Sequence, residues 1–153
     1  MDFQQAVKTY QQNPTKEVLK EVTAAITGEM SLKEKIYMLS GHPLVQVQKD
    51  LIKTGRNYNV HALPAGGCKR LGVPPVLFTD GPRGVVMGNS TCFPVSMLRA
   101  STFDTDLEYR FGKAIADEAI AQGANYFAGV CINLVRNPRW GRTQETYGET
   151  VSM

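Results

Sequence analysis

No block of like charge interrupts this chain of 153 residues: 17 Lys and Arg stand against 14 Asp and Glu, a net charge of +3 without a basic stripe. Nucleic acids and membrane surfaces select clustered Lys and Arg, so neither is expected as a partner. Long apolar runs are missing too, and none approaches the roughly 20 residues that cross a bilayer. Cysteine is scarce. Cys68, Cys92 and Cys131 are odd in number and far apart, with no Cys-x-x-Cys pair. That excludes a disulfide framework and a thiolate zinc knuckle, and three buried thiols in a reducing compartment are expected. His42 and His61 are the two histidines. Neither has a second ligand at useful spacing, so packing or surface roles are expected over metal binding. Gly-x-x-x-x-Gly-Lys-Ser/Thr, Gly-x-Gly-x-x-Gly and Gly-x-Ser-x-Gly are all absent, which removes specific support for a phosphate cradle or a serine elbow. The opening Met1-Asp2-Phe3-Gln4-Gln5 lacks the basic and then apolar layout of a signal peptide, and a cytoplasmic protein is the expectation.

What the chain does have is ordinary globular material. Hydrophobic residues make up 42% and charged residues 20%, enough for one modest domain with a core. The most informative stretch is Val76-Leu77-Phe78-Thr79-Asp80-Gly81-Pro82-Arg83-Gly84. Its continuous apolar run predicts a short strand buried on both faces. Gly81 and Pro82 then force the chain out of the sheet. Asp80 is thus expected at the carboxyl end of a strand, on the rim where parallel α/β folds bind ligands.

Around it the periodicities predict mostly helix. Residues 1–13 read as a polar, Gln-rich helix, and Thr15 to Ile26 as a stronger one with Val18, Leu19, Val22, Ala25 and Ile26 on one face. Ser31 and Glu34 form a capping box for a short helix ending near Gly41, with Lys33, Glu34 and Lys35 as its solvated face. From His42 to Arg70 the pattern lapses, and Asn57, Asn59, Pro64, Gly66 and Gly67 mark a long loop. Thr91 to Pro94 is expected to be extended. Asp104 caps a helix to about Gln122, with Leu107, Phe111, Ile115, Ala119 and Ile120 buried and Gly123 as the stop. Asn125 to Asn133 reads as another buried strand. Strand, crossover helix, strand predicts a parallel sheet.

Parallel strands share one carboxyl rim, which should bring Asp80 beside the arginine-rich segment after Asn133. A carboxylate and a guanidinium together suit a neutral polyol, the first accepting from hydroxyls and the second donating to them. Arg136, Arg139 and Arg142 are the candidate donors, although any of them could instead pair with Asp80, Glu145 or Glu149. Trp140 or Tyr147 could face a sugar ring, although Trp140 more often packs. Asp80 with Glu145 or Glu149 could also form a glycosidase carboxylate pair, but nearby arginines favour an ionised Asp80 that accepts hydrogen bonds. A flavodoxin-like nucleotide binder is disfavoured, because Asp80 would repel phosphate.

Several motifs in order resemble glycoside hydrolase family 3, the β-glucosidases and β-xylosidases. They are Lys69-Arg-Leu-Gly-Val-Pro-Pro75, Phe78-Thr-Asp-Gly-Pro-Arg-Gly84, Thr91-Cys-Phe-Pro94, Ser101-Thr-Phe-Asp104, Asn137-Pro-Arg-Trp-Gly-Arg142 and Glu145-Thr-Tyr-Gly-Glu149. Ser31 to Gly41 resembles the helix that opens the family's first domain. The resemblance implies an α/β fold, a (β/α)8 TIM-type barrel present here as about its first three strand–helix units. Residues 1–30 would be an N-terminal helical extension and 31–153 the partial barrel. It implies retaining hydrolysis of a β-linked glycoside or oligosaccharide with no metal or organic cofactor. Asp80 and Arg142 stand where the family binds hydroxyls of the first sugar. The family's nucleophile, its Lys-His pair and its acid/base lie downstream, and Gly148-Glu149-Thr150-Val151 departs from the family's Gly-Glu-Asp-Pro. A barrel needs about 250 residues, so the reading is an N-terminal fragment, inactive alone, that needs the downstream part of the enzyme for closure and catalysis. The alternative is a non-catalytic sugar-binding or assembly module that complements a separately encoded remainder.

Overall fold

The computed structural model describes residues 1–41, 49, 52–53 and 61–149. Two compact units divide the chain: Met1–Val47 with Leu63–Val76, and Gln48–Ala62 with Leu77–Met153.

The first unit holds three helices whose starts are written in single residues. Helix α1 (Phe3–Gln12) opens on a capping box in which Asp2 Oδ1 accepts from the Gln5 N–H and Gln5 returns the favour to the Asp2 N–H. Helix α2 (Lys16–Glu29) is capped by Thr15, whose hydroxyl accepts from the Val18 N–H. Val18, Val22 and Ile26 recur every four residues and turn inward. Leu19, expected on that face, lies one step round the helix and is exposed. Helix α3 (Leu32–Met38) begins at the expected Ser31–Glu34 box.

Glu34 corrects the expectation of a solvated face. Its carboxylate accepts from Arg70 Nε and Nη2, both at 2.8 Å, and from the Cys68 thiol at 3.4 Å. Arg70 Nη2 also donates to the Glu29 carbonyl at 2.8 Å. One guanidinium thereby joins the end of α2, the start of α3 and the 68–71 turn, beside a core of Met30, Cys68 and Leu71. The expected loop is also less irregular than its composition suggests, since it contains strand β1 (Leu63–Ala65) and a 3-10 turn at Lys69–Leu71. His42, Asn57 and Asn59 lie outside the described residues.

In the second unit, which takes up strand β2 (Val76–Thr79) from Leu77 onward, β2 pairs in parallel with β3 (Tyr126–Phe127), Phe78 opposite Tyr126 and Thr79 opposite Phe127. Asn125 extends the pairing: its N–H donates to the Leu77 carbonyl, and its side-chain oxygen accepts from the Leu77 N–H at 2.7 Å. Between the strands run α4 (Ser96–Ala100) and α5 (Thr105–Ala121). This strand–helix–strand crossover makes the fold α/β. Asp104 caps α5 by accepting from the Leu107 N–H at 2.8 Å, and Gly123 follows with φ +83°. Ile115 and Ala119 pack with Val85, Met87 and Ala124 to form the core, against which Phe93 and Phe127 lie.

Four expectations change here. Val76 is exposed and Leu77 and Phe78 are only half-buried, so β2 is not covered on both faces. The second strand is two residues long, and Val130 and Ile132 beyond it are exposed. Ile120 points to solvent. Residues 91–94 form no strand, and are instead held by Glu118, which accepts from the Thr91 N–H and hydroxyl, and by the Phe93 N–H donating to the Arg83 carbonyl. A continuous apolar run signals burial only where a layer exists to cover it, and the described residues supply no second layer at these positions.

Candidate functional site

Asp80 leaves β2 and the backbone turns at once. The Val86 N–H donates to the Asp80 carbonyl at 3.0 Å and the Gly84 N–H to the Gly81 carbonyl at 3.3 Å. Gly81 adopts φ +132°, and a Cβ there would overlap the Gly84 carbonyl oxygen and the Val86 side chain. Only glycine fits. From the parallel neighbour β3 the chain continues through Ala128 and Gly129, and a Cβ on Gly129 would run into the Gly81 carbonyl. Two glycine backbones thus approach closely where the two strands end.

Beyond them opens a cleft of about 580 Å³, lined by Asp80, Val86, Ala128, Asn133, Arg142 and Glu145 among others. The structure therefore brings the two candidate residues, Asp80 and Arg142, to one cleft. Arg142 is not idle there. Its Nη2 lies 2.6 Å from Glu145 Oε2 and its Nε donates to the same oxygen at 2.8 Å. The bond to Glu145 raises the Arg142 pKa, with lesser contributions that include the charge of Asp80. Of the carboxylates named as possible arginine partners, Glu145 is the one that Arg142 takes.

The other aromatic and basic candidates stand elsewhere. Arg136, Arg139 and Glu149 are exposed and do not line the cleft. Trp140 is half-buried, and its carbonyl accepts from the Thr143 N–H and hydroxyl, a packing and turn role. Of the three thiols expected to be buried, Cys68 and Cys131 are, whereas Cys92 is exposed beside Arg83, whose Nη2 donates to its sulfur at 3.2 Å.

Tyr147 belongs to a cluster that the sequence did not reveal. Its hydroxyl donates to Glu108 Oε1 at 2.6 Å, and its ring lies 5.5 Å from the guanidinium carbon of Arg99. Burial and the bond to Glu108 push the phenol up to about 12. Arg99 is itself buried, donating to Glu108 Oε1 at 2.9 Å and to the Pro82 carbonyl at 3.1 Å. One sequence signal was available. Glu108, Phe111, Ile115 and Ala119 recur at three- and four-residue spacing, so a carboxylate sits on the apolar ridge of α5, where an unpaired charge would be costly.

The profile of the Glycosyl hydrolase family 3 N terminal domain matches residues 52–153. A probable β-glucosidase J of Neosartorya fischeri is 35% identical over 130 residues, which is 81% of this chain and 13% of that protein. β-Glucosidase B of Emericella nidulans is 31% identical over 131 residues, 82% of this chain and 13% of its own length. Among solved structures, DesR, a β-glucosidase from Streptomyces venezuelae in complex with D-glucose, superimposes with a TM-score of 0.66 at 27% identity, covering 82% of this chain and 15% of that one. The chain thus spans about 13% of the length of the curated relatives it matches. With the family's N-terminal domain matched over residues 52–153 and relatives more than 30% identical across about four fifths of its length, the chain belongs to glycosyl hydrolase family 3.

Proposed function

We propose that this chain forms one wall of the sugar-binding site of a β-glucosidase-type retaining glycoside hydrolase. The observation that carries the reading is the meeting of Asp80 and Arg142 at one cleft, in a chain whose relatives are named β-glucosidases. Asp80 accepts hydrogen bonds from sugar hydroxyls. Arg142 donates to a hydroxyl: a guanidinium has five N–H donors, and Glu145 engages Nε and Nη2. Glu145 sets the direction of the fork, accepting from Arg142 Nε at 2.8 Å and lying 2.6 Å from its Nη2. The strand–helix–strand crossover is then one unit of a (β/α)8 barrel. The remaining units and the bond-breaking carboxylates come from polypeptide beyond these residues.

Titration of the 153-residue chain with D-glucose, followed by NMR, tests the binding half. Asp80→Asn and Arg142→Met should each weaken binding by about tenfold or more, the loss of one charge-assisted hydrogen bond. Equal affinity in wild type and both variants would remove Asp80 and Arg142 from the site. An aryl β-glucoside assay tests the other half. The chain alone should give no turnover, and adding the downstream part of a relative in trans should restore it. Turnover by the chain alone that vanishes in Glu145→Gln would place the catalytic pair within it.

A further inference from the structure

We infer that Arg99 is a positioning residue, a buried hub that ties the Asp80–Pro82 turn to the Arg142–Tyr147 segment and so fixes the span between the two lips of the cleft. The inference deepens the sugar-site reading and rests on it for its functional consequence.

The Arg99 side chain is 4% exposed. Its Nη2 donates to the Pro82 carbonyl at 3.1 Å and to Ser96 Oγ at 3.3 Å, and its Nη1 donates to Glu108 Oε1 at 2.9 Å. Its guanidinium carbon lies 5.4 Å from the Phe111 ring centroid and 5.5 Å from that of Tyr147. Pro82 is two residues from Asp80. Tyr147 is two residues from Glu145, which holds Arg142. The Tyr147 hydroxyl donates to the same Glu108 oxygen that Arg99 uses. Each lip therefore reaches Arg99 or its counter-ion through one short contact, and α5 supplies the carboxylate between them.

Geometry explains why the hub is an arginine. A planar fork can address a carbonyl, a hydroxyl and a carboxylate at fixed angles while its faces stack on rings. A lysine ammonium would match the charge but could not hold all of these at once. An ion pair with one partner buried is a poor source of stability, because desolvation of Arg99 offsets its attraction to Glu108, whose side chain is 32% exposed. Among the described residues, Arg99 Nε and Glu108 Oε2 moreover find no hydrogen-bond partner although both atoms are buried. What the arrangement does provide is a defined orientation of the three segments it joins.

The test uses the 15N-labelled full chain. Tyr147→Phe keeps the ring and deletes the bond to Glu108. Expected is a joint response, with the amide signals of Gly81, Arg83 and Gly84 shifting together with the Arg142 Nε–H signal. Arg99→Lys, which keeps the charge, should still displace both sets of signals and weaken D-glucose binding by about tenfold. Movement of the Arg142 signal alone in Tyr147→Phe would overturn the coupling. So would an Arg99→Lys variant that keeps wild-type signals and affinity, since Arg99 would then be only a neutralising charge. A lower melting temperature with both lips unmoved would reduce it to a packing role. If wild type binds no D-glucose, the sugar reading fails while the joint response still decides the inference. Should Arg99→Lys not fold, Tyr147→Phe carries the test.

Discussion

Glu34 closes the capping box of α3 and grips Arg70 with the same carboxylate. Oε2 accepts from the Ser31 N–H and from Arg70 Nη2, each at 2.8 Å, while Oε1 accepts from Arg70 Nε. The Arg70 bond, followed by the Ser31 N–H, holds the Glu34 carboxyl well below the usual carboxylate range. A depressed folded-state pKa favours the ionised form, so its contribution to stability is complete above the unfolded value of about 4.3. It drains as pH falls from there toward the folded value. The wild-type melting temperature should therefore drop below about pH 4.5 more steeply than that of Glu34→Gln, and the two curves should converge in strong acid. Parallel curves from pH 7 to pH 2 would show that the pair does not contribute. At Gly81 the constraint is steric rather than electrostatic. Gly81→Ala must place a Cβ against the Gly84 carbonyl at φ +132°. It should cost more than about 1 kcal/mol in urea unfolding and abolish D-glucose binding by displacing Asp80.

Helix α5 stands between the two strands, and its start depends on one side chain. Asp104 Oδ1 accepts from the Leu107 N–H, and the acidic first turn, Asp106 and Glu108, favours the helix dipole. Asp104→Ala should cost about 1 kcal/mol, seen as faster hydrogen exchange at Leu107, whereas Asp104→Asn should stay near wild type. Unchanged exchange in Asp104→Ala would mean that packing alone sets the boundary. Local signals of this sort are why α2, α3 and α5 were legible in the sequence to within a few residues. Caps and stop glycines act over three or four positions and need no partner from elsewhere. Helix α4 was not legible: it is five residues long and no side chain caps it. The stretch from Asn125 to Asn133 misled because an apolar residue is buried only by whatever packs against it. The site divides in the same way. The place of Asp80 at a strand end could be read because a Gly-Pro turn follows it, whereas Arg142 was one of three loop arginines that the residues left open and only the family resemblance set apart. Arg99 and Glu108 could not be paired, because nine residues and a helix boundary separate them. Only the fold around Phe111 and Tyr147 brings them together.

At the scale of the whole molecule, the balance between charge and apolar surface decides how the chain behaves in solution. Phe103, Val130 and Ile132 are 72%, 63% and 80% exposed, and they line one cleft of about 420 Å³. Against this stands a net charge of only +3, whose repulsion is screened beyond about 8 Å at physiological salt. Burying apolar surface gains about 25 cal/mol per Å² and is not screened, so attraction should win as concentration rises. Sedimentation velocity should show concentration-dependent self-association at micromolar protein. Sulfate should strengthen it and sodium chloride should not weaken it. Val130→Thr with Ile132→Thr should reduce both the association and the fluorescence of a bound hydrophobic dye. Because both side chains are already exposed, the double variant should unfold within about 0.5 kcal/mol of wild type. A chain that stays monomeric throughout, or a double variant that associates as strongly as wild type, would place the self-attraction on another surface.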